Sequence, residues 1–201
     1  MPTIQESRKK LQQAITTPVV PVARKLKLTP DILTVIGIVL NLIAAVIIGF
    51  GHIFVGGLAF LLAGLFDMLD GALARHIGQT TKFGALLDST ADRLTEAAIF
   101  FSFIFITSVT VWPYDVTWEM VLIFLAVTGS FLTSYIRARA EGLNVNCTVG
   151  IFTRPERVIV LILGLLLNAV FIAVAIVAVL SWTTVIQRFI HVMHKMRDKR
   201  G

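Results

Sequence analysis

Six apolar stretches, each near the length needed to cross a bilayer, take up most of this chain and leave little sequence for anything but a membrane-embedded bundle of helices. A span needs about 20 residues. The candidates run from Asp31 to Phe50, Ile53 to Ala74, Gly84 to Ser108, Thr117 to Arg137, Arg154 to Leu167 and Ala169 to His191. Of the 201 residues 56% are hydrophobic and 15% charged, which excludes an ordinary soluble domain. The fifth stretch is short, so it either begins near Thr148 or crosses only part of the bilayer under cover of its neighbours. The expected fold is an all-α membrane protein with six transmembrane helices in residues 29–201. An amphipathic juxtamembrane helix in residues 1–28 is expected on the cytoplasmic surface, because Ile4, Leu11 and Ile15 alternate with Arg8, Lys9 and Lys10 before Pro18 and Pro21.

The cations fix an orientation. Arg24, Lys25 and Lys27 precede the first span, Arg75 and Lys82 follow the second, and Arg137, Arg139, Arg154 and Arg157 surround the gap between the fourth and fifth. Arg188, Lys195, Arg197, Lys199 and Arg200 close the chain, whereas the opposite loops at Gly51, Val109 to Val116 and Asn168 hold none. By the positive-inside rule both termini are cytoplasmic and the protein is a multi-pass protein of the cell membrane. The net charge of +6 reflects that bias rather than nucleic-acid binding. Trp112, Tyr114 and Trp118 fall where an outer aromatic belt is expected. The single Cys147 excludes an internal disulfide, and the first span is expected to act as an uncleaved insertion signal.

Against this apolar background Asp67, Asp70, Asp88 and Asp92 demand a reason. A charge at membrane depth costs roughly 2.5 to 3.5 kcal/mol on insertion scales, so intramembrane acids point to function. Asp67 and Asp70 are three apart and Asp88 and Asp92 four apart, which puts each pair on one helix face. The short connection from Ile77 to Phe83 predicts two antiparallel neighbours with all four acids at one depth, at the cytoplasmic end. Four carboxylates together would repel and take up protons. Hard divalent cations, Mg²⁺ or Mn²⁺, remove that problem and favour oxygen ligands shared with phosphates. Two ions about 4 Å apart suit a phosphoryl substitution. Gly71, Gly84 and Ala74 leave room for a substrate or for helix packing, and Arg75 can meet phosphate. Thr29-Pro30-Asp31 is a capped helix start whose free amides could also face a phosphate.

The pattern Asp67-x2-Asp70-Gly71-x2-Ala74-Arg75-x8-Gly84-x3-Asp88-x3-Asp92 resembles, without a departure, the signature of the CDP-alcohol phosphatidyltransferases. The resemblance implies six membrane helices, a cytoplasm-facing cavity, a homodimer and displacement of CMP from a CDP-lipid by an alcohol. Carried over position by position, it makes Asp67, Asp70, Asp88 and Asp92 metal ligands, Asp92 also being the general base. It places Gly71, Ala74, Arg75, Thr81 and Gly84, with Asp67, Asp70 and the helix start at Ile32, Leu33, Thr34 and Val35, around the CDP moiety.

A cluster of guanidinium groups beside such a site suits a phosphorylated acceptor, which arginine grips with paired hydrogen bonds. Ser134 to Gly142 and Arg154-Pro155-Glu156-Arg157 resemble segments of the phosphatidylinositol-phosphate synthases of actinobacteria and their archaeal counterparts. That likeness implies inositol 1-phosphate as acceptor, CDP-diacylglycerol or a related CDP-lipid as donor, and Arg137, Arg154 and Arg157 on the acceptor phosphate. Glycerol 3-phosphate, giving phosphatidylglycerophosphate, is the alternative acceptor. A cation path lined by the acids is a third reading, disfavoured because no polar ladder continues to the outer side. The histidines are scattered and read as surface residues. Arg93, beside Asp92, is left open between an acid and a lipid phosphate.

Overall fold

The structure is a computed structural model that describes residues 30–77, 81–108 and 118–198, without the side chains of residues 30, 31, 70–72 and 74–77. The expected amphipathic arm in residues 1–28 and the aromatic residues Trp112 and Tyr114 lie outside the described residues. Among the described residues there are six helices and no strands. They are α1 (Pro30–Gly49), α2 (Ile53–Ile77), α3 (Lys82–Ser108), α4 (Trp118–Gly142), α5 (Arg154–Leu166) and α6 (Val170–Asp198).

α1, α4 and α5 stop where the sequence supplies a residue that tolerates a left-handed backbone. Gly51, Asn144 and Asn168 all have positive φ. At each, the next residue's amide reaches back five positions: His52 to Ile47 O at 3.2 Å, Val145 to Ala140 O at 2.9 Å and Ala169 to Gly164 O at 2.7 Å. This is the Schellman closure, which satisfies carbonyls that a helix end leaves open. α5 starts at Arg154 and not near Thr148, because the Thr153 amide donates to Glu156 Oε2 at 2.8 Å in a capping box and Pro155 fits the first turn. Its 13 residues span only about 20 Å, less than a bilayer core.

α1 shows how sequence becomes packing. Leu33, Gly37, Asn41, Ala44 and Ile48 recur at helical spacing and are buried, while Val35, Val39, Leu42 and Val46 on the opposite side are exposed. Phe54, Leu62, Phe101, Phe124, Ile172 and Val179 continue this outward apolar surface around the bundle. A surface this apolar is one that lies against lipid or another apolar surface. Three helices contain stretches long and apolar enough to cross a membrane: Ile32–Gly49, Trp118–Gly142 and Val170–Arg197. Inside, Ile48, Phe60, Phe100, Phe103, Leu161, Leu165, Val174 and Val177 form one continuous core.

α1 packs on both α2 and α3, α4 packs on α6 and α3, and α5 packs on α2 and α6. At Gly57 an added Cβ would lie 2.9 Å from Leu165 Cβ, so the absence of a side chain lets α2 and α5 approach. α2 and α3 are neighbours at their acidic ends, where Asp67 meets Asp88 and Asp92, but among the described residues their backbones are not closely packed, and α1 lies against both. The space left at the ends of α2 and α3 is where the acids meet.

The connection from α4 to α5, residues 143–153, is fastened to α6. Phe152 N–H donates to Thr184 Oγ1 at 3.1 Å, Ile151 N–H to Gln187 Oε1 at 3.3 Å, and Arg188 Nε to Val149 O at 2.9 Å. Cys147 is buried within this segment beside Ala140 and Val145. Gly150 has φ +127°, and a Cβ there would sit 2.7 Å from Thr184 Cγ2. Gly150→Ala is therefore expected to destabilise the protein by about 1–3 kcal/mol, seen as a lower thermal midpoint in detergent. Gly142→Ala, with open space around it, is the matched control and should leave the midpoint unchanged.

Candidate metal and phosphate site

Asp67 comes from α2 and Asp88 and Asp92 from α3, the latter pair one turn apart on a single face. One carboxylate oxygen from each lies within 4.8 Å of the others. Three of the four acids expected to converge are thus together. Asp70 and Gly71 lie on α2, but the side chain of Asp70 is outside the described residues, as are those of Ala74 and Arg75.

The cationic partner of this cluster is Arg154, at the first turn of α5. Its Nη1 donates to Asp67 Oδ2 at 2.8 Å, and its Nη2 lies 2.8 Å from Asp92 Oδ1. One guanidinium therefore spans carboxylates of two different helices. The contact to Asp92 is an ion pair without hydrogen-bond alignment, so Asp92 Oδ1 is a buried acceptor with no donor. A buried oxygen in that condition, with two more carboxylate oxygens beside it, fits a hard divalent cation such as Mg²⁺ or Mn²⁺. Arg154 Nε is likewise buried and without a partner, a spare donor next to the carboxylates.

The remaining arginines divide by partner. Arg157, one turn beyond Arg154, is 1% exposed and locked onto Glu96: Nε to Oε1 at 2.7 Å and Nη2 to Oε2 at 3.1 Å. Arg137 is exposed and paired with Glu141 on its own helix at 2.9 Å. Arg139 faces elsewhere, into an apolar groove with Tyr135, Phe189, Met193 and Arg197. Arg93 Nη1 donates to the Ser89 carbonyl. Arg188, read from sequence only as one of the closing cations, is buried and donates to Thr133 O at 2.6 Å.

A cavity of about 730 Å³ gathers these groups. Asp88, Asp92 and Glu96 line it from α3, Ser134 and Arg137 from α4, and Arg154, Arg157 and Arg188 from α5 and α6. Acids and guanidinium groups thus meet in a space large enough for a small phosphorylated molecule. The sequence reading did not single out Glu96. The available signal was its spacing, four residues after Asp92 in a run that becomes apolar beyond it.

The positions implied for the CDP moiety are only partly described. Thr81 precedes α3 and its Oγ1 accepts the Gly84 N–H at 2.9 Å, so it caps that helix. At the start of α1, Leu33 is buried while Ile32 and Val35 are exposed and Thr34 lies between these extremes.

Comparison with known proteins places this geometry. The model of the CDP-alcohol phosphatidyltransferase family matches residues 27–191. An archaetidylinositol phosphate synthase of Pyrococcus horikoshii is 42% identical over 164 residues, covering 81% of this chain and 82% of its own. A phosphatidylinositol phosphate synthase of Mycobacteroides abscessus is 34% identical over 195 residues, covering 93% and 86%. The crystal structure of Mycobacterium tuberculosis phosphatidylinositol phosphate synthase with CDP-DAG bound superposes with a TM-score of 0.78 at 31% identity, over 89% of this chain and 94% of that one. The same enzyme in complex with manganese and citrate gives a TM-score of 0.78 at 31% identity, over 89% and 88%. A signature met without departure in the sequence, three of its four acids drawn together in the fold, and a family match across most of the chain lead to one statement: the chain belongs to the CDP-alcohol phosphatidyltransferase family.

Proposed function

We propose that this protein transfers a phosphatidyl group from CDP-diacylglycerol, or a closely related CDP-lipid, to inositol 1-phosphate and releases CMP. The observation that carries the proposal is one cavity in which Asp88 and Asp92 face Arg137 and Arg154. Relatives named for phosphatidylinositol phosphate or archaetidylinositol phosphate synthesis support this acceptor over glycerol 3-phosphate. They give no support to a cation path.

Asp67, Asp70, Asp88 and Asp92 would hold the divalent cation, as one ion or two. When bound, the metal neutralises charge on the pyrophosphate and favours nucleophilic substitution at phosphorus. Gly71, Ala74, Arg75, Thr81, Gly84 and residues Ile32 to Val35 are assigned to the CDP-lipid. Arg137 and the spare Nε of Arg154 are assigned to the acceptor phosphate; Arg157, expected there from the sequence, is held by Glu96 and is assigned no direct contact with it. The acceptor hydroxyl oxygen bonds to the phosphorus that carries the lipid. The bond from that phosphorus to CMP breaks, and the hydroxyl proton passes to the Asp92 carboxylate.

The membrane arrangement belongs to the same proposal. Six helices embed residues 29–201 in the cell membrane with both termini and the cavity on the cytoplasmic side, and two copies form a homodimer. The clustering of cations at the cavity end of the helices supports the orientation. α5 is too short to cross alone and is sheltered by α2 and α6.

The direct test is incubation of purified protein with CDP-diacylglycerol and Mg²⁺ or Mn²⁺, with inositol 1-phosphate, inositol or glycerol 3-phosphate, followed by identification of the lipid product. Phosphatidylinositol phosphate with CMP release is expected from the first acceptor alone. Reaction with unphosphorylated inositol only would overturn the role of the arginines. Asp92→Asn is expected to lower kcat by about 100-fold or more while the CDP-lipid KM changes less. Asp88→Asn should impair both, as read from steady-state kinetics over a Mn²⁺ series. Arg137→Ala is expected to raise the acceptor KM about 10- to 100-fold, the loss of one charge-assisted contact.

A further inference from the structure

Glu96 and Arg157 form an ion pair that the reaction as described does not use. Glu96 is 5% and Arg157 1% exposed, and two parallel contacts join them, at 2.7 and 3.1 Å. Both side chains are largely removed from solvent. A buried pair of this kind adds little stability compared with two apolar side chains of similar volume, and acids at this depth in a membrane protein point to function.

Its position supplies the reason. Glu96 follows Asp92 by four residues on α3, and Arg157 follows Arg154 by three on α5, so the two pairs stack as rungs one helical turn apart. The outer rung, Arg154 with Asp92 and Asp67, is partly exposed; the inner rung is buried. α5 packs closely on α2 and α6, whereas it and α3 form no closely packed pair among the described residues. At the cavity, side chains rather than touching backbones set the relation of α3 to α5. A planar guanidinium gripped by both carboxylate oxygens fixes rotation as well as distance. Fixing Arg157 on Glu96 therefore fixes where the first turn of α5 delivers Arg154.

We propose that Glu96 and Arg157 are positioning residues: their buried fork holds the first turn of α5 against α3 and so sets the placement of Arg154 between the carboxylate centre and the acceptor phosphate. The pair acts through Arg154 and does not itself touch substrate. This deepens the acceptor reading given above and rests on it.

The test is the double variant Glu96→Leu with Arg157→Met, which removes both charges together and strands neither, alongside Arg157→Lys, which keeps the charge but not the planar fork. Thermal unfolding in detergent, kcat, and KM for inositol 1-phosphate and for CDP-diacylglycerol are measured for each. Both variants are expected to unfold cooperatively near the wild-type midpoint. The acceptor KM should rise 10-fold or more, and the CDP-diacylglycerol KM should stay within about threefold. Folded variants with wild-type acceptor KM and kcat overturn the proposal. If the double variant does not fold, Arg157→Lys decides alone, and its failure to fold as well would make the pair a structural brace, which also overturns it. Arg137→Ala in the same assay separates the two claims. A raised acceptor KM there with unaffected fork variants sinks the positioning role only. The reverse pattern sinks the acceptor assignment of Arg137 and leaves the fork standing.

Discussion

The Arg154 guanidinium lies between carboxylates carried by helices that form no closely packed pair among the described residues, and the organisation of the cavity depends on that bridge. Asp67 on α2 and Asp92 on α3 each stand 2.8 Å from one of its terminal nitrogens. Without positive charge between them, acids this close in a poorly solvated site would repel and take up protons. The capping box at Thr153 and Glu156 and the ties from α6 to residues 149–152 deliver the arginine to the place where that charge is needed.

The architecture separates two environments. The outer faces of α1, α2, α4 and α6 expose large apolar side chains, while the polar groups that remain buried are turned inward and mostly paired. Thr133, Thr184 and Arg188 join α4, α6 and the α4–α5 connection through hydrogen bonds to backbone. A donor with a lipid tail and a water-soluble head needs such a boundary, since its tail can stay beside the apolar surface while its phosphates reach the charged cavity. The family assignment fits this partition, with the charged cavity lying where the two environments meet.

Much of the site was legible because helical periodicity is short-range. Spacings of four and three placed Asp88 with Asp92 and Arg154 with Arg157 on common faces, and the structure keeps those relations. The boundary of α5 was less legible, since hydropathy does not register a capping box; Thr153 and Glu156 set the start at Arg154. Helix rotation and partner choice were not legible at all. Nothing in the sequence tells that Arg154 turns to aspartates while Arg157 turns to Glu96, or that α1 lies against both α2 and α3. Glu96 was not singled out and Arg188 was read only as a closing cation for a related reason: each is an ionisable residue within or beside an apolar run, and its importance appears only when its partner on another helix is known.

The most direct measurement is a crystal structure of the protein soaked in Mn²⁺, with data collected at a wavelength that reveals the ion by anomalous scattering. The account predicts an anomalous peak among the carboxylates of Asp67, Asp88 and Asp92, lost in Asp88→Asn. A peak only at other residues, with these oxygens left to Arg154 alone at saturating Mn²⁺, would contradict it.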